Sequence, residues 1–533
     1  MPQTLQTLDW IFLAGFFALV SGAGIFVSKY VKRTDDFFKG GGAIPWWMAG
    51  ISCYVGYTSA FVFVVYGQMA YKHGLVALCA MPCGFFGFAF SAVFLAKRWR
   101  KAGILTPVEY LEMRYNNVIR QVFAIGTIPY RIIDDSLKVL ALSILLSLVT
   151  GLSINWMVGI AGLLVLVYCT TGGLLSVVVT DTLQFLVMLA VVVWLFIAAL
   201  ASTHAPEFAS SVNTGSAWSG LWASLRAQDN EVHFFASAAT GGNITLSFWM
   251  ILVLVVALST NMWWSLIQRY LCVKSDHDAP KVAWTLAWLN VAMAILILVP
   301  VFIGRRLLPG LDDAESKSIY VRLCMLLLPS GTLGLVVAAM FAATTTSLAA
   351  EYTVLGSVMA HDIYRRMIHP QGSDGHYLTV ARVCTGLTAL VAISVCMIVL
   401  NSGATLFTWM AKATGLFLPP MAVPFIGGIL WQKPSARAAI ITYLVGLATA
   451  ILLFGAEMLF QFKATLTPIV PALASFMERS PWVRFWEFHT FQVTTLAGFA
   501  VTISAFIASG HLCRPPADEN ARREALFQRL RGV

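Results

Sequence analysis

Residues 341–354 read FAATTTSLAAEYTV, which sets four consecutive hydroxyls, Thr344 to Ser347, and a carboxylate, Glu351, inside an otherwise apolar run. The flanks GTLGLVVAAM and LGSVMAHDIY read as a membrane-spanning helix, so these oxygens sit where hydrocarbon is expected. Polar groups at that depth are costly and turn toward a bundle interior or an aqueous path. Their chemistry is either local, each hydroxyl bonding the carbonyl four residues back, or that of an oxygen cage for a hard cation. Glu351, four residues after Ser347, could pair with a cation or titrate; an internally satisfied contact is the plainer reading. A second cluster, YRIIDDSLK, carries Arg131, Asp134, Asp135 and Lys138 at helical spacing. Arg131 with Asp135, and Asp134 with Lys138, are each four apart and form a potential self-neutralising ladder.

These residues need apolar elements to hold them. In 533 residues, 59% are hydrophobic and 11% charged, a composition that excludes an ordinary globular protein and places the chain in a bilayer. The net charge of +10 comes from short basic clusters between apolar runs, as in cytoplasmic loops, and does not point to nucleic acid. Nine cysteines, mostly inside apolar runs, give neither a disulfide framework nor a zinc motif. The start, MPQTLQTLDW, lacks a basic n-region, so the first apolar run is expected to be a retained helix. No HExxH, GxSxG, P-loop or GxGxxG stands in the chain, and the reading is not an enzyme.

Apolar runs near 8–28, 45–70, 74–97, 119–149, 154–171, 177–201, 246–269, 282–304, 332–358, 377–400, 404–430, 436–456 and 490–510 predict an all-α integral membrane protein of about 13 helices. KYVKR, AKRWRK, RYLCVK, YRRM, WQKPSAR and the tail from residue 513 fall on one side if the N-terminus is outside and the C-terminus cytoplasmic. GRRLLPG at 304–310 violates that pattern. The span at 45–70 has Gly50, Ser52, Gly56, Thr58 and Ser59 about its middle. Such a centre suits an unwound helix with exposed carbonyls, or close packing of small residues.

The ordered set GGGAIPWW (40–47), TPVEYLEMRYN (106–116), TTGGLLSVVVTDTLQ (170–184), IQRYLCVKS (267–275) and AATTTSLAA with HDIYRR (342–366) resembles the sodium:solute symporter family over roughly residues 8–455. The resemblance implies a LeuT-like fold with two inverted repeats of five helices. It divides the chain into an extra helix and loop (1–44), a first repeat (45–201), an outer loop (202–245), a second repeat (246–430), additional helices (431–512) and a tail (513–533). It also implies a sodium ion between the first and eighth core helices, held by the carbonyls of Val55, Thr58 and Ala343 and the hydroxyls of Thr346 and Ser347. Some relatives add a second sodium through serines two and three residues on; Ala349 and Ala350 stand there, so one Na+ per cycle is expected. Asp181 matches the family's aspartate and is expected to assist ion release. At about 2.3 kcal/mol per charge per 100 mV and about 1.4 for a tenfold gradient, one ion supplies roughly 3.7 kcal/mol and caps accumulation of a neutral solute at roughly 500-fold.

Sugar-binding positions of the galactose symporter fall at Phe61, Val62, Met81, Gly84, Val256, Asn290 and Ala411, of which Asn290 alone can hydrogen-bond through its side chain. The tyrosine gate of that relative falls at Ser259, with Trp263 and Trp264 one turn on. The resemblance makes Tyr57, Phe61, Met81, Asp134, Asp135, Ser259, Trp263, Asn290 and Lys412 the candidate solute residues. Asp134 favours an amine or hydroxyls, whereas Lys412 favours a carboxylate, leaving sugar or polyol, carboxylate and zwitterion open. The expectation is a plasma-membrane, sodium-coupled importer of a small organic solute that needs the bilayer and no obligate protein partner. Its rivals are a transport-deficient sensor of the same fold and a proton-coupled symporter.

Overall fold

The computed structural model describes residues 6–28, 42–104, 107–168, 174–203, 245–329, 331–402, 405–461 and 490–531. The basic run KYVKR and nearly all of the 202–245 and 457–489 loops lie outside these. Among the described residues every regular element is helical, and the one β contact is an isolated bridge between Ile44 and Val273.

Helix α1 (Thr7–Ser28) precedes a span that comes in two pieces, α2 (Trp46–Tyr57) and α3 (Val62–His73), bent by 66° across residues 58–61. Then follow α4 (Val76–Ala102), a short α5 (Pro107–Arg114), α6 (Asn117–Thr150), α7 (Ile154–Tyr168) and α8 (Leu174–Ser202). The second half repeats the broken start with α9 (Leu246–Thr260) and α10 (Trp264–Leu271), bent by 56°. It continues through α11 (Asp278–Leu307), α12 (Ile319–Leu327), α13 (Thr332–Ile368), α14 (Asp374–Asn401) and α15 (Leu406–Leu430). Helices α16 (Ala436–Gln461), α17 (Thr490–Leu512) and the tail helix α18 (Ala517–Arg531) end the chain.

Among the described residues nine helices are long and apolar enough to cross a membrane by themselves, and three bent pairs qualify jointly. Helix α6 has 34 residues, about 51 Å of rise against a hydrocarbon core of about 30 Å, so it crosses alone. Gly151, at φ 72°, caps it, and α7 departs at 118°. With each bent pair taken as one span, the described residues offer up to twelve crossings, one fewer than the about thirteen expected. Outward side chains such as Trp156 and Leu452, 71% and 73% exposed, form an apolar exterior suited to lipid.

The 45–70 span uses both devices its small residues offered. A Cβ on Gly50 would lie 2.7 Å from the Thr285 side chain, so this glycine lets α11 approach, while the helix stops after Tyr57. Helix α13 packs against α1, α2, α6, α8 and α14. At Gly334 a Cβ would fall 2.1 Å from the Asp9 carbonyl, so α1 meets α13 almost backbone to backbone.

Candidate functional site

At the first break, the Thr58 N–H donates to the carbonyls of Tyr54 and Val55 at 2.9 and 3.2 Å, and the chain is extended at Thr58. The Ala60 N–H, released from the helix, donates to Thr344 Oγ1 of α13 at 2.8 Å. Thr344 in turn donates to the Met340 carbonyl, and Thr345 to those of Phe341 and Ala342. These are the local bonds expected of the first two hydroxyls. Thr346 instead donates to Gln184 Oε1 of α8 at 2.9 Å. Ser347 Oγ and Thr58 Oγ1 are buried with no hydrogen-bond partner in the structure. Each such oxygen costs about 1–3 kcal/mol if left unpaired, and α2 packs directly on α13. Val55, Thr58, Ala343, Thr346 and Ser347 are all buried. This donor set of hydroxyls and carbonyls fits a hard monovalent cation better than a proton or a soft metal. Gln184 escaped the sequence reading; its position one turn after Asp181 was the available signal.

Beside the break lies a cavity of about 100 Å³. Tyr57, Phe61, Met81, Asp134, Ser259, Trp263 and Asn290 all line it; Asp135 and Lys412 do not. Asp135 is fully buried behind Lys138, which approaches Asp134 at 2.8 Å and Asp135 at 3.3 Å. Val62, Val256 and Ala411 also line the cavity. Gly84 stands just behind it: a Cβ there would lie 3.1 Å from the Tyr57 hydroxyl and 3.3 Å from Asn290 Oδ1, so its absence makes room for both polar groups. The polar lining also takes in Thr58 and Ser59 of the break itself, Tyr54, Tyr66, Thr260, Tyr130, Lys138 and Thr414. Tyr130 and Lys138 stand one turn either side of Asp134, a spacing that would have revealed them. One wall is aromatic: Tyr57 packs on Trp263 and edge-on to Phe88, with centroids 5.2 and 5.1 Å apart. Lys138 Nζ lies 5.3 Å from the Trp263 ring centre.

The expected ladder on α6 is half right. Lys138 neutralises Asp134, but Arg131 does not pair with Asp135. Its guanidinium instead reaches across to Glu351 Oε2 at 2.8 Å and to the Met262 carbonyl at 3.0 Å. The reason is direction: Asp135 already faces Lys138, while α13 and the second break offer Arg131 a carboxylate and a freed carbonyl together. Glu351 also accepts from Ser265 Oγ at 3.1 Å, so it is internally satisfied. Asp181 accepts from Ser52 Oγ at 2.5 Å and lies 3.7 Å from the Arg269 guanidinium. It thus faces α2 and α10, and Gln184 is the α8 side chain that reaches the Thr346 hydroxyl. No group of three or more His, Cys, Asp or Glu positioned to hold a metal occurs among the described residues.

The profile of the sodium:solute symporter family matches residues 37–446. The chain belongs to the sodium:solute symporter family. It is 27% identical over 482 residues to a sodium/glucose cotransporter of Vibrio parahaemolyticus, covering 84% of this chain and 85% of that one. A sodium/myo-inositol cotransporter 2 of Bos taurus is 24% identical over 99% of this chain and 80% of its own. The sodium/sialic acid symporter SiaT of Proteus mirabilis (strain HI4320) is also 24% identical, over 85% of this chain and 91% of its own. Among solved structures, the substrate-bound outward-open state of a Na+-coupled sialic acid symporter superposes with a TM-score of 0.73 at 20% identity, over 95% of this chain and 98% of that one. The fold of this symporter is therefore LeuT-like, and its relatives are transporters, not enzymes.

Proposed function

We infer that this symporter imports a small organic solute by alternating access, driven by one sodium ion per cycle bound between α2 and α13. The carrying observation is the pair of buried, unpartnered hydroxyls, Thr58 Oγ1 and Ser347 Oγ, at a helix break beside a solute-sized cavity. In membrane transporters such breaks are where ions and substrates bind. Val55, Thr58, Ala343, Thr346 and Ser347 are the proposed ligands. Loss of the ion removes the bridge between the two helices and favours opening toward the cytoplasm. Asp181 assists release from its place between α2, α8 and α10. The seven cavity-lining candidates named above make the solute contacts, with Tyr130, Lys138 and Thr414.

The basic residues support the expected orientation. Arg98, Arg114, Arg120, Arg366, Arg523 and Arg531 converge at one end through bonds to the 429–434 turn, α5 and α18. That end is assigned to the cytoplasm of a plasma membrane. Lys72 pairs with Asp313 at the other.

The test is a thermal-stability screen of the detergent-purified protein against sugars, polyols, carboxylates, amino acids and amines, in sodium or in potassium. Stabilisation by one class only in sodium supports the reading, through mass action on the folded state. Equal stabilisation in potassium would sink the sodium site and turn attention to proton coupling. Binding without uptake in liposomes would favour a sensor.

A further inference from the structure

The cavity and the sodium-side turn have a common floor. Arg131 lies three residues before Asp134 on α6, about 4.5 Å toward the basic end. Glu351 lies four residues after Ser347 on α13, about 6 Å toward the same end. Between them comes the second break, whose Met262 carbonyl accepts from Arg131 and whose Ser265 hydroxyl donates to Glu351. The guanidinium also stands over the Trp264 ring, 5.9 Å from its centre. Arg131 and Glu351 are 2% and 4% exposed, so water does not share this contact.

We propose that Arg131 and Glu351 are positioning residues for coupled transport: their ion pair seats α10 against α6 and α13, so that the floor of the cavity closes only when the sodium-side turn and the solute-side turn are in register. This rests on the sodium-coupled reading and its orientation. Arg131 moves with Asp134 and Lys138, and Glu351 moves with Ser347. Met262 and Ser265 flank Trp263, a cavity wall. A shift of either binding helix therefore acts on the seat of α10. On its other flank α10 is held by Arg269, which donates to Ser52 Oγ at 3.3 Å and to its own helix at the Ser265 carbonyl at 3.0 Å. Solute leaving toward the basic end has to pass α10, and removing one partner leaves the other charge buried and uncompensated. Glu351→Gln keeps the shape and an acceptor for Ser265 while deleting the charge.

The experiment uses the full chain with Gln268→Cys on α10 as a reporter, in inside-out vesicles, labelled by a membrane-impermeant thiol reagent above the parent's background. A parallel assay measures ²²Na+ leak into liposomes without solute. Glu351→Gln is expected to raise labelling in sodium about tenfold and to raise the leak. Ser265→Ala, which removes one hydrogen bond to a charged group, is expected to raise labelling about threefold. Glu351→Asp should restore most of the parent behaviour. Labelling and leak at the parent's level in Glu351→Gln, with sodium still stabilising the protein, would overturn the proposal and leave the pair a static brace. If Glu351→Gln does not fold, Ser265→Ala decides: labelling at the parent's rate overturns the proposal. Failure of sodium to stabilise the parent itself would instead reject the sodium reading.

Discussion

The two broken helices solve one problem in opposite ways. Each break frees backbone groups in the middle of a membrane protein, where no water is at hand to satisfy them. At the first, between α2 and α3, neutral groups respond: Thr344 takes the Ala60 N–H, and two hydroxyls are left over, Thr58 Oγ1 and Ser347 Oγ. At the second, between α9 and α10, the chain supplies its own cation: Arg131 takes the Met262 carbonyl and is balanced by Glu351. A break filled by a resident guanidinium has no need of an ion. One lined by spare hydroxyls has room for the sodium ion proposed above. Helix α13 contributes to both breaks, with Thr344 and Ser347 at one and Glu351 at the other.

Removing the first break's ligands should have the largest effect. Thr346→Ala with Ser347→Ala is expected to abolish sodium-driven uptake, with a loss of at least about 30-fold in apparent sodium affinity, since each proposed ligand is worth about 1–3 kcal/mol. Uptake that survives in this variant would erase the distinction between the breaks. Asp134→Asn comes next. It unbalances Lys138 at the cavity wall and should raise the solute KM about tenfold while leaving sodium-dependent stabilisation unchanged; a matching loss of sodium stabilisation would show that the cavity and the first break are one site. Thr344→Ala deletes the acceptor for Ala60 and should lower stability by about 1–3 kcal/mol, read by chemical denaturation in detergent, with solute selectivity unaltered.

The smallest effect lies away from both breaks, at α5. Burial pushes the Glu112 carboxyl up, but hydrogen bonds from Arg120 and Arg366 outweigh it and hold the group below its ordinary 4.5. A depressed carboxylate contributes stability that is complete above its unfolded value and lost as pH falls through the folded one. Hydrogen exchange across residues 107–114 should therefore accelerate only as pH drops below about 4.5, while exchange at residues 58–61 and 261–263 does not follow it.

Helix type and order were legible because a run of about 20 apolar residues has few alternatives in a bilayer, while the count of crossings was not, because short and bent helices share a span. The first break was one of two readings left open by Gly50, Ser52, Gly56, Thr58 and Ser59, the other being close packing. The second was not anticipated, because α9 is apolar through most of its length and the polar residues at the kink, Ser259, Thr260 and Asn261, resemble ordinary helix positions. The cavity residues were reachable in part: Asp134 and Asn290 stand out as polar groups, and Tyr130 and Thr414 follow from helical spacing. Arg131 with Glu351 was out of reach, since 220 residues separate the partners and spacing rules see only one helix at a time. The same holds for Gln184 with Thr346.

The most direct measurement is the melting temperature of the purified protein in sodium and in potassium, with Thr346→Ala/Ser347→Ala alongside. The account predicts stabilisation of the parent by sodium alone and none in the double variant. Equal stabilisation of both proteins by sodium would contradict it.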